Sequence, residues 1–332
     1  MTVDLAAYGW HGDPPSGDGV LGRIVRVDRG ECDAITAHGL LRVLSDSQRA
    51  QSETAPATGD WVQIDQDAEL GPLIAEVLPR ANTVSRRDPS EAVIEQVLVA
   101  NVDLVLIVHA LDRPLPPGRL ERFLIVAEDS GAEVALVLTK ADRVEPSSEM
   151  EATIRAVAPE VEVLVVALGQ EETQGLEAIE ALLGAGRTVA LLGESGAGKS
   201  TLINALLGED QLPTGDVRQG DNKGRHTTVS RELVLRPAGG LLVDTPGIRA
   251  VGIWDAQEAL DRVFGDLETL AGTCRFNDCA HDAEPGCAVT EAVKSGAVDA
   301  RRVGRYRALH AELAEQRQRE EERQRKNQGR RR

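Results

Sequence analysis

The run Gly193-Glu194-Ser195-Gly196-Ala197-Gly198-Lys199-Ser200-Thr201 contains the pattern G-x-x-x-x-G-K-[ST]. Its chemistry is phosphate binding, because backbone N–H groups at a helix N-terminus can surround phosphate oxygens. Glycine allows that close wrapping because it has no Cβ. Lys199 can reach a β/γ-phosphate, and the Ser200 hydroxyl can ligate Mg²⁺. The motif needs a strand before it and a helix after it. An apolar run over 188–192 and a helical pattern over 201–207, stopped by Gly208, supply both.

Further residues converge on the same chemistry. Asp244-Thr245-Pro246-Gly247 follows an apolar strand, 44 residues beyond Ser200, and matches D-x-x-G. Asp244 would place a carboxylate near Mg²⁺, and the Gly247 N–H could donate to a γ-phosphate. Between the two motifs lies Gly224-Arg225-His226-Thr227-Thr228, where Thr228 or Thr227 could complete the Mg²⁺ shell. The same threonines could simply begin the next strand. Upstream, Leu138-Thr139-Lys140-Ala141-Asp142 ends an apolar strand and resembles the guanine-recognition motif N-K-x-D of GTPases. A carboxylate at Asp142 can accept from guanine N1–H and the 2-amino group together, a pair that adenine lacks. Ala167 lies where such enzymes place a short S-A-x loop beside the base. The base motifs precede the P-loop here, whereas an ordinary GTPase has them after it. That order is a circular permutation.

A second constellation is Cys274-x4-Cys279-x-His281-x5-Cys287. Three thiolates and one imidazole make a closed tetrahedral set for one structural zinc ion. Free thiols or a redox switch are the alternatives. Cys32 lies apart, inside an expected strand, and reads as a core residue.

With 332 residues and 42% hydrophobic content, the chain has room for several packed domains. Residues 1–16, rich in Gly, Pro and Asp, are expected to be disordered. Five short strands at 19–27, 32–37, 39–44, 60–64 and 73–78 predict an OB-fold barrel over 17–90. Trp61 is its lone aromatic, so base stacking is not its expected mode of contact. Arg80, Arg86 and Arg87 could touch phosphates or could be solvated linker charges. From 91 to 255, apolar strands alternating with helices predict a parallel sheet covered on both faces. Residues 256–332 predict an α-helical zinc-binding domain with a basic helical tail. Net charge is −17, which disfavours nucleic acid, but residues 301–332 carry +7. No apolar run approaches the ~18 residues of a membrane helix. With no secretory leader at the N-terminus either, the expectation is a cytoplasmic monomer without a membrane partner.

Taken together, these motifs resemble the ribosome small subunit-dependent GTPase A family, RsgA or YjeQ. The resemblance also takes in Gly59-Asp60-Trp61-Val62, Leu78-Pro79-Arg80, Glu95-Gln96-Val97 and Ala100-Asn101-Val102-Asp103. It implies a multidomain chain of OB-fold, circularly permuted GTPase domain and zinc domain. It also implies GTP hydrolysis late in maturation of the small ribosomal subunit, with the 30S particle and its 16S rRNA as partners. Two positions depart from the family pattern. Thr139 stands where the family usually has Asn, which contacts the base and braces the P-loop, and Val166-Ala167-Leu168 lacks the usual serine. Ras-type enzymes orient the attacking water with a glutamine just after D-x-x-G, but this chain has Ile248 there. His226, in the threonine loop, is the candidate to replace it. A nucleotide-gated RNA-binding scaffold and a P-loop small-molecule kinase are the competing readings.

Overall fold

A computed structural model describes residues 2–13, 19–45, 54–66, 71–87, 95–169, 173–208, 232–244 and 252–330. The five expected strands are present as β1 (Val20–Val27), β2 (Glu31–Thr36), β3 (Gly39–Leu44), β4 (Trp61–Asp65) and β5 (Leu73–Val77). They close into a barrel in the order β1-β2-β3-β5-β4. Alternation along the strands turns Ile24, Cys32, Ala34, Val43, Val62, Ile64 and Ile74 inward, which confirms Cys32 as core. Gly22 sits where a Cβ would meet Ile64 Cδ1 at 2.9 Å, so a side chain there would crowd the interior.

The N-terminal expectation needs correction. Residues 2–13 are an ordered arm with a single 3₁₀ turn, Leu5–Tyr8, capped by the Asp4 carboxylate. Its sequence is locally unremarkable, but Val3 and Tyr8 pack on the core, and Trp10 meets Trp61 edge-on at 4.9 Å. Gly9 approaches Gly186 so closely that a Cβ on Gly9 would lie 2.6 Å from the Gly186 carbonyl.

After the barrel, β6 (Thr83–Arg87) pairs antiparallel with β7 (Glu95–Ala100). The expected boundary between 90 and 91 falls between these two strands. Val84, Leu98 and Val99 join the core of the following domain. Arg80 is not a solvated linker charge. It grips the fully buried Asp60 carboxylate bidentately, with both N···O distances 2.7 Å.

The central domain runs β8 (Leu104–Ala110), α1 (Pro117–Asp129), β9 (Glu133–Thr139), α2 (Ser148–Val157), β10 (Glu162–Val165), β11 (Ala167–Leu168), β12 (Thr173–Gln174), α3 (Leu176–Leu182), β13 (Thr188–Leu192), α4 (Lys199–Leu207), β14 (Leu233–Leu235) and β15 (Leu241–Asp244). Six strands form one sheet in the order β10-β9-β8-β13-β15-β14, parallel except for β14. Its strands are near-continuously apolar because helices cover both faces. An isolated bridge, Arg26 to Glu232, joins barrel strand β1 to the chain just before β14.

The C-terminal helices are α5 (Gln257–Val263), α6 (Gly265–Ala271), α7 (Ala288–Lys294) and α8 (Ala300–Arg330). They enclose Phe264, Leu267, Val289, Tyr306, Leu309 and Leu313. This unit is tied to the central domain by Glu121 of α1, whose buried carboxylate accepts from Arg302 (3.1 Å) and Arg305 (2.6 and 2.8 Å) on α8. No helix among the described residues is long and apolar enough to cross a membrane.

One side chain joins the arm, barrel and sheet. Arg23 is 1% exposed and donates to the carbonyls of Tyr8, Gly59 (3.2 Å) and Asn101 (3.2 Å) and to Thr188 Oγ1 (2.9 Å). Burial pulls its pKa down to about 10, opposed by Asp103 and Asp60. Arg23→Met should therefore cost at least ~3 kcal/mol, because several buried acceptors would lose their donor at ~1–3 kcal/mol each. Denaturant unfolding followed by tryptophan fluorescence reads this directly. An unchanged midpoint would show that water replaces the guanidinium without penalty.

Candidate active site

β13 delivers the P-loop to the carboxyl edge of the sheet, where ligands of open α/β folds bind. Gly193 passes so close to β8 that a Cβ would sit 2.3 Å from the Val108 carbonyl. Gly198 has φ +92° and caps α4, with the Leu202 N–H donating to its carbonyl at 2.8 Å. Lys199 lies beneath the loop, with Nζ donating to the carbonyls of Gly193 (2.9 Å) and Glu194 (3.0 Å). Burial lowers its pKa, opposed by Asp244 and Glu194. Ala197 is buried inside the turn, and Thr201 is exposed on the first turn of α4.

Parallel pairing of β13 with β15 sets Leu191 opposite Asp244, which brings Asp244 beside the loop. Ser200 Oγ donates to Asp244 Oδ2 at 3.2 Å. Asp244 Oδ1 is buried with no hydrogen-bond partner among the described atoms, and burial raises this carboxyl's pKa. A buried, unpartnered carboxylate oxygen beside a hydroxyl suits a hard divalent cation with oxygen ligands, so these residues fit Mg²⁺.

β9 brings the base motif to the same edge. Thr139 is 1% exposed, and its Oγ1 donates to the Ala197 carbonyl at 2.7 Å and lies 3.3 Å from the His109 carbonyl. Threonine thus keeps a contact to the P-loop where the family pattern has asparagine. Lys140 takes φ +65° and donates from Nζ to Asp112 Oδ2 at 2.7 Å, which holds the Asp112 carboxyl below its usual range. Asp142 is exposed, with Arg143 Nε 3.5 Å from its Oδ2. The Ala141 N–H donates to the Val166 carbonyl at 3.2 Å, coupling this loop to the one that carries Ala167. His226, Thr227, Thr228, Gly247 and Ile248 lie outside the described residues.

Cys274, Cys279, His281 and Cys287 converge, with all four donor atoms within 4.8 Å of one another. His281 Nδ1 is 3.6 Å from the sulfurs of Cys274 and Cys287, which are 3.9 Å apart. A tetrahedron with Zn–S ~2.3 Å and Zn–N ~2.0 Å has edges of about 3.5–3.8 Å, so the set fits zinc. Burial pushes Cys279 up to about 11, whereas Cys287, despite its own burial, is brought down to about 6 by Thr290, His281 and Cys279. Cys287 also caps α7, accepting from the Thr290 N–H at 3.4 Å. His281 takes φ +57°, a conformation non-glycine residues rarely adopt, at a ligand position.

A profile of the family described as RsgA GTPase matches residues 77–254. The chain belongs to the RsgA family. Curated members include the small ribosomal subunit biogenesis GTPase RsgA of Streptomyces avermitilis, 44% identical over 92% of this chain and 84% of that one. The protein of the same name from Xanthomonas campestris pv. campestris is 42% identical over 80% of this chain and 72% of its own. Among solved structures, YjeQ from Thermotoga maritima superposes with a TM-score of 0.59 at 25% identity, covering 89% of this chain and 98% of that one. YloQ, described as a circularly permuted GTPase, shares the fold with a TM-score of 0.58 at 22% identity, covering 90% of this chain and 96% of its own.

Two side chains of this RsgA-family site escape sequence reasoning. Arg119 of α1 pairs with Glu194 at 2.9 Å, and Arg113 donates to the Ser195 carbonyl at 2.9 Å. Both lie more than 70 residues before the P-loop, in a segment that carries no motif. Parallel pairing of β8 with β13 is what brings them there.

Proposed function

We propose that this chain hydrolyses GTP to GDP and phosphate in the cytoplasm, stimulated by the 30S subunit during late small-subunit maturation. The carrying observation is the convergence of Thr139–Asp142, the loop 193–201 and Asp244 on one edge of a single sheet, in permuted chain order. The relatives named small ribosomal subunit biogenesis GTPase support the partner. In this reading Asp142 selects guanine, with Lys140 and Ala167 flanking the base. The P-loop N–H groups and Lys199 hold the phosphates. Mg²⁺ on Ser200, Asp244 and Thr228 would neutralise charge on the β- and γ-oxygens. Gly247 donates to the γ-phosphate, and His226 orients the attacking water in place of Ile248. The monomer contacts 16S rRNA through local arginine patches and its basic tail, since salt screens its overall acidity beyond ~8 Å.

Three measurements test this reading. Asp142→Asn should weaken GTP binding by ~2 kcal/mol and favour xanthosine triphosphate, whose C2 carbonyl accepts from an amide. Unchanged GTP affinity in a nucleotide titration would remove Asp142 from the base pocket. Protein purified without chelators should carry one zinc per chain. Cys279→Ala should unfold the C-terminal unit while sparing nucleotide binding, because structural zinc binding is itself folding energy; metal analysis without zinc would contradict that assignment. Finally, 30S particles should raise turnover at least ~10-fold, about 1.4 kcal/mol off the barrier. His226→Ala should lose most of that stimulation while still binding GTP and 30S. Full stimulation in this variant would assign the water-orienting group elsewhere, and no hydrolysis in either protein would leave a nucleotide-gated scaffold.

A further inference from the structure

We infer that Arg113 is a positioning residue for the phosphate cradle, acting through the Ser195–Gly196 peptide. The inference rests on reading loop 193–201 as the phosphate site of a guanine nucleotide. Arg113 follows β8, and its backbone is held there. Its N–H donates to the Ala110 carbonyl at 3.3 Å, and its own carbonyl is 3.1 Å from His109 Nε2. A carbonyl can only accept, so His109 donates from Nε2. Burial lowers the pKa of this ring, consistent with the neutral tautomer that carries its proton on Nε2.

From that anchored position the guanidinium reaches the exposed Ser195–Gly196 turn of the P-loop, where Nη1 donates to Ser195 O at 2.9 Å. A trans peptide is planar, so its N–H points opposite to its carbonyl. With Ser195 O held outward by Arg113, the Gly196 N–H is turned inward, toward the space the loop encloses. A charged donor on the carbonyl also polarises the amide and strengthens the N–H as a donor. Thr139 does the same one peptide pair further on, because its bond to Ala197 O turns the Gly198 N–H inward. Gly196 itself has φ +75°, and a Cβ there would lie 3.0 Å from Arg113 Nη2, so guanidinium and glycine fit each other closely. Asp112 links the two motifs. Its Oδ2 holds Lys140 at 2.7 Å, and its Oδ1 lies 3.5 Å from Arg113 Nε.

The ordinary alternative is a surface arginine whose contacts contribute little. Direct titration of the full-length chain with guanosine, GDP and GTP separates the two. Arg113→Met should weaken GDP and GTP by about tenfold and leave guanosine unchanged, because guanosine has no phosphate to use the cradle. Arg113→Lys, which retains a charged donor, should recover most of the loss. Unchanged GDP affinity in Arg113→Met, or an equal loss for guanosine and GDP, would overturn the inference. A wild-type protein that binds GDP no better than guanosine would instead overturn the phosphate-site reading beneath it.

Discussion

A phosphate cradle made of backbone N–H groups needs its carbonyls taken up on the outside. Each peptide has one donor and one acceptor pointing opposite ways, so inward donors require outward acceptors with partners. Arg113 takes up Ser195 O in this way and Thr139 takes up Ala197 O, while a third side chain, Lys199, reaches the Gly193 and Glu194 carbonyls from beneath the loop. Two of the three stand on strands or loops that precede the P-loop in the chain and flank it in the sheet. The loop's shape is therefore a property of the sheet edge, and glycine supplies the freedom that the edge then restricts.

Circular permutation makes this arrangement instructive. Moving the chain ends leaves the strand order β10-β9-β8-β13-β15-β14 intact, so the base loop, P-loop and Asp244 still meet. What changes is the attachment of neighbours. The chain leaves β15 and reaches the C-terminal helices within a short stretch, and those helices fold back onto α1 through Glu121. The same helix carries Arg119, which holds Glu194 of the P-loop. One rigid element thus touches both the P-loop edge of the sheet and the unit that carries the Cys₃His set.

Buried charges take part in this joining alongside shared apolar clusters. Arg23 joins arm, barrel and sheet, Asp60 pairs with Arg80 inside the barrel, and Glu121 accepts from two arginines. Removing Arg80 would leave the buried Asp60 carboxylate without its counter-charge, at a cost of ~3–5 kcal/mol. Apolar contacts between the units could slide, but bidentate guanidinium–carboxylate geometry has one register. For a chain built from three small units, that directionality sets how they sit together.

Local patterns were enough for much of the molecule. β3 and β13 occupy the residues that alternation and apolar runs predict, and the Cys₃His ligands fall within 14 residues of one another, so spacing alone assembles them. The P-loop and base motif were likewise legible, because their chemistry resides in contiguous residues. Tertiary structure decided the rest. The arm over 2–13 belongs to a stretch that reads as disordered from its Gly, Pro and Asp content, yet it is ordered by Arg23 and Trp61, which sequence proximity does not connect to it. Arg80 looks like a free basic residue until the barrel closes and Asp60 is buried beside it. Arg113 and Ser195 are separated by 82 residues, Arg23 and Thr188 by 165, and Glu121 and Arg302 by 181. A hydrogen bond depends on distance and direction in space, and only the folded sheet brings these donors within 3.2 Å of their acceptors.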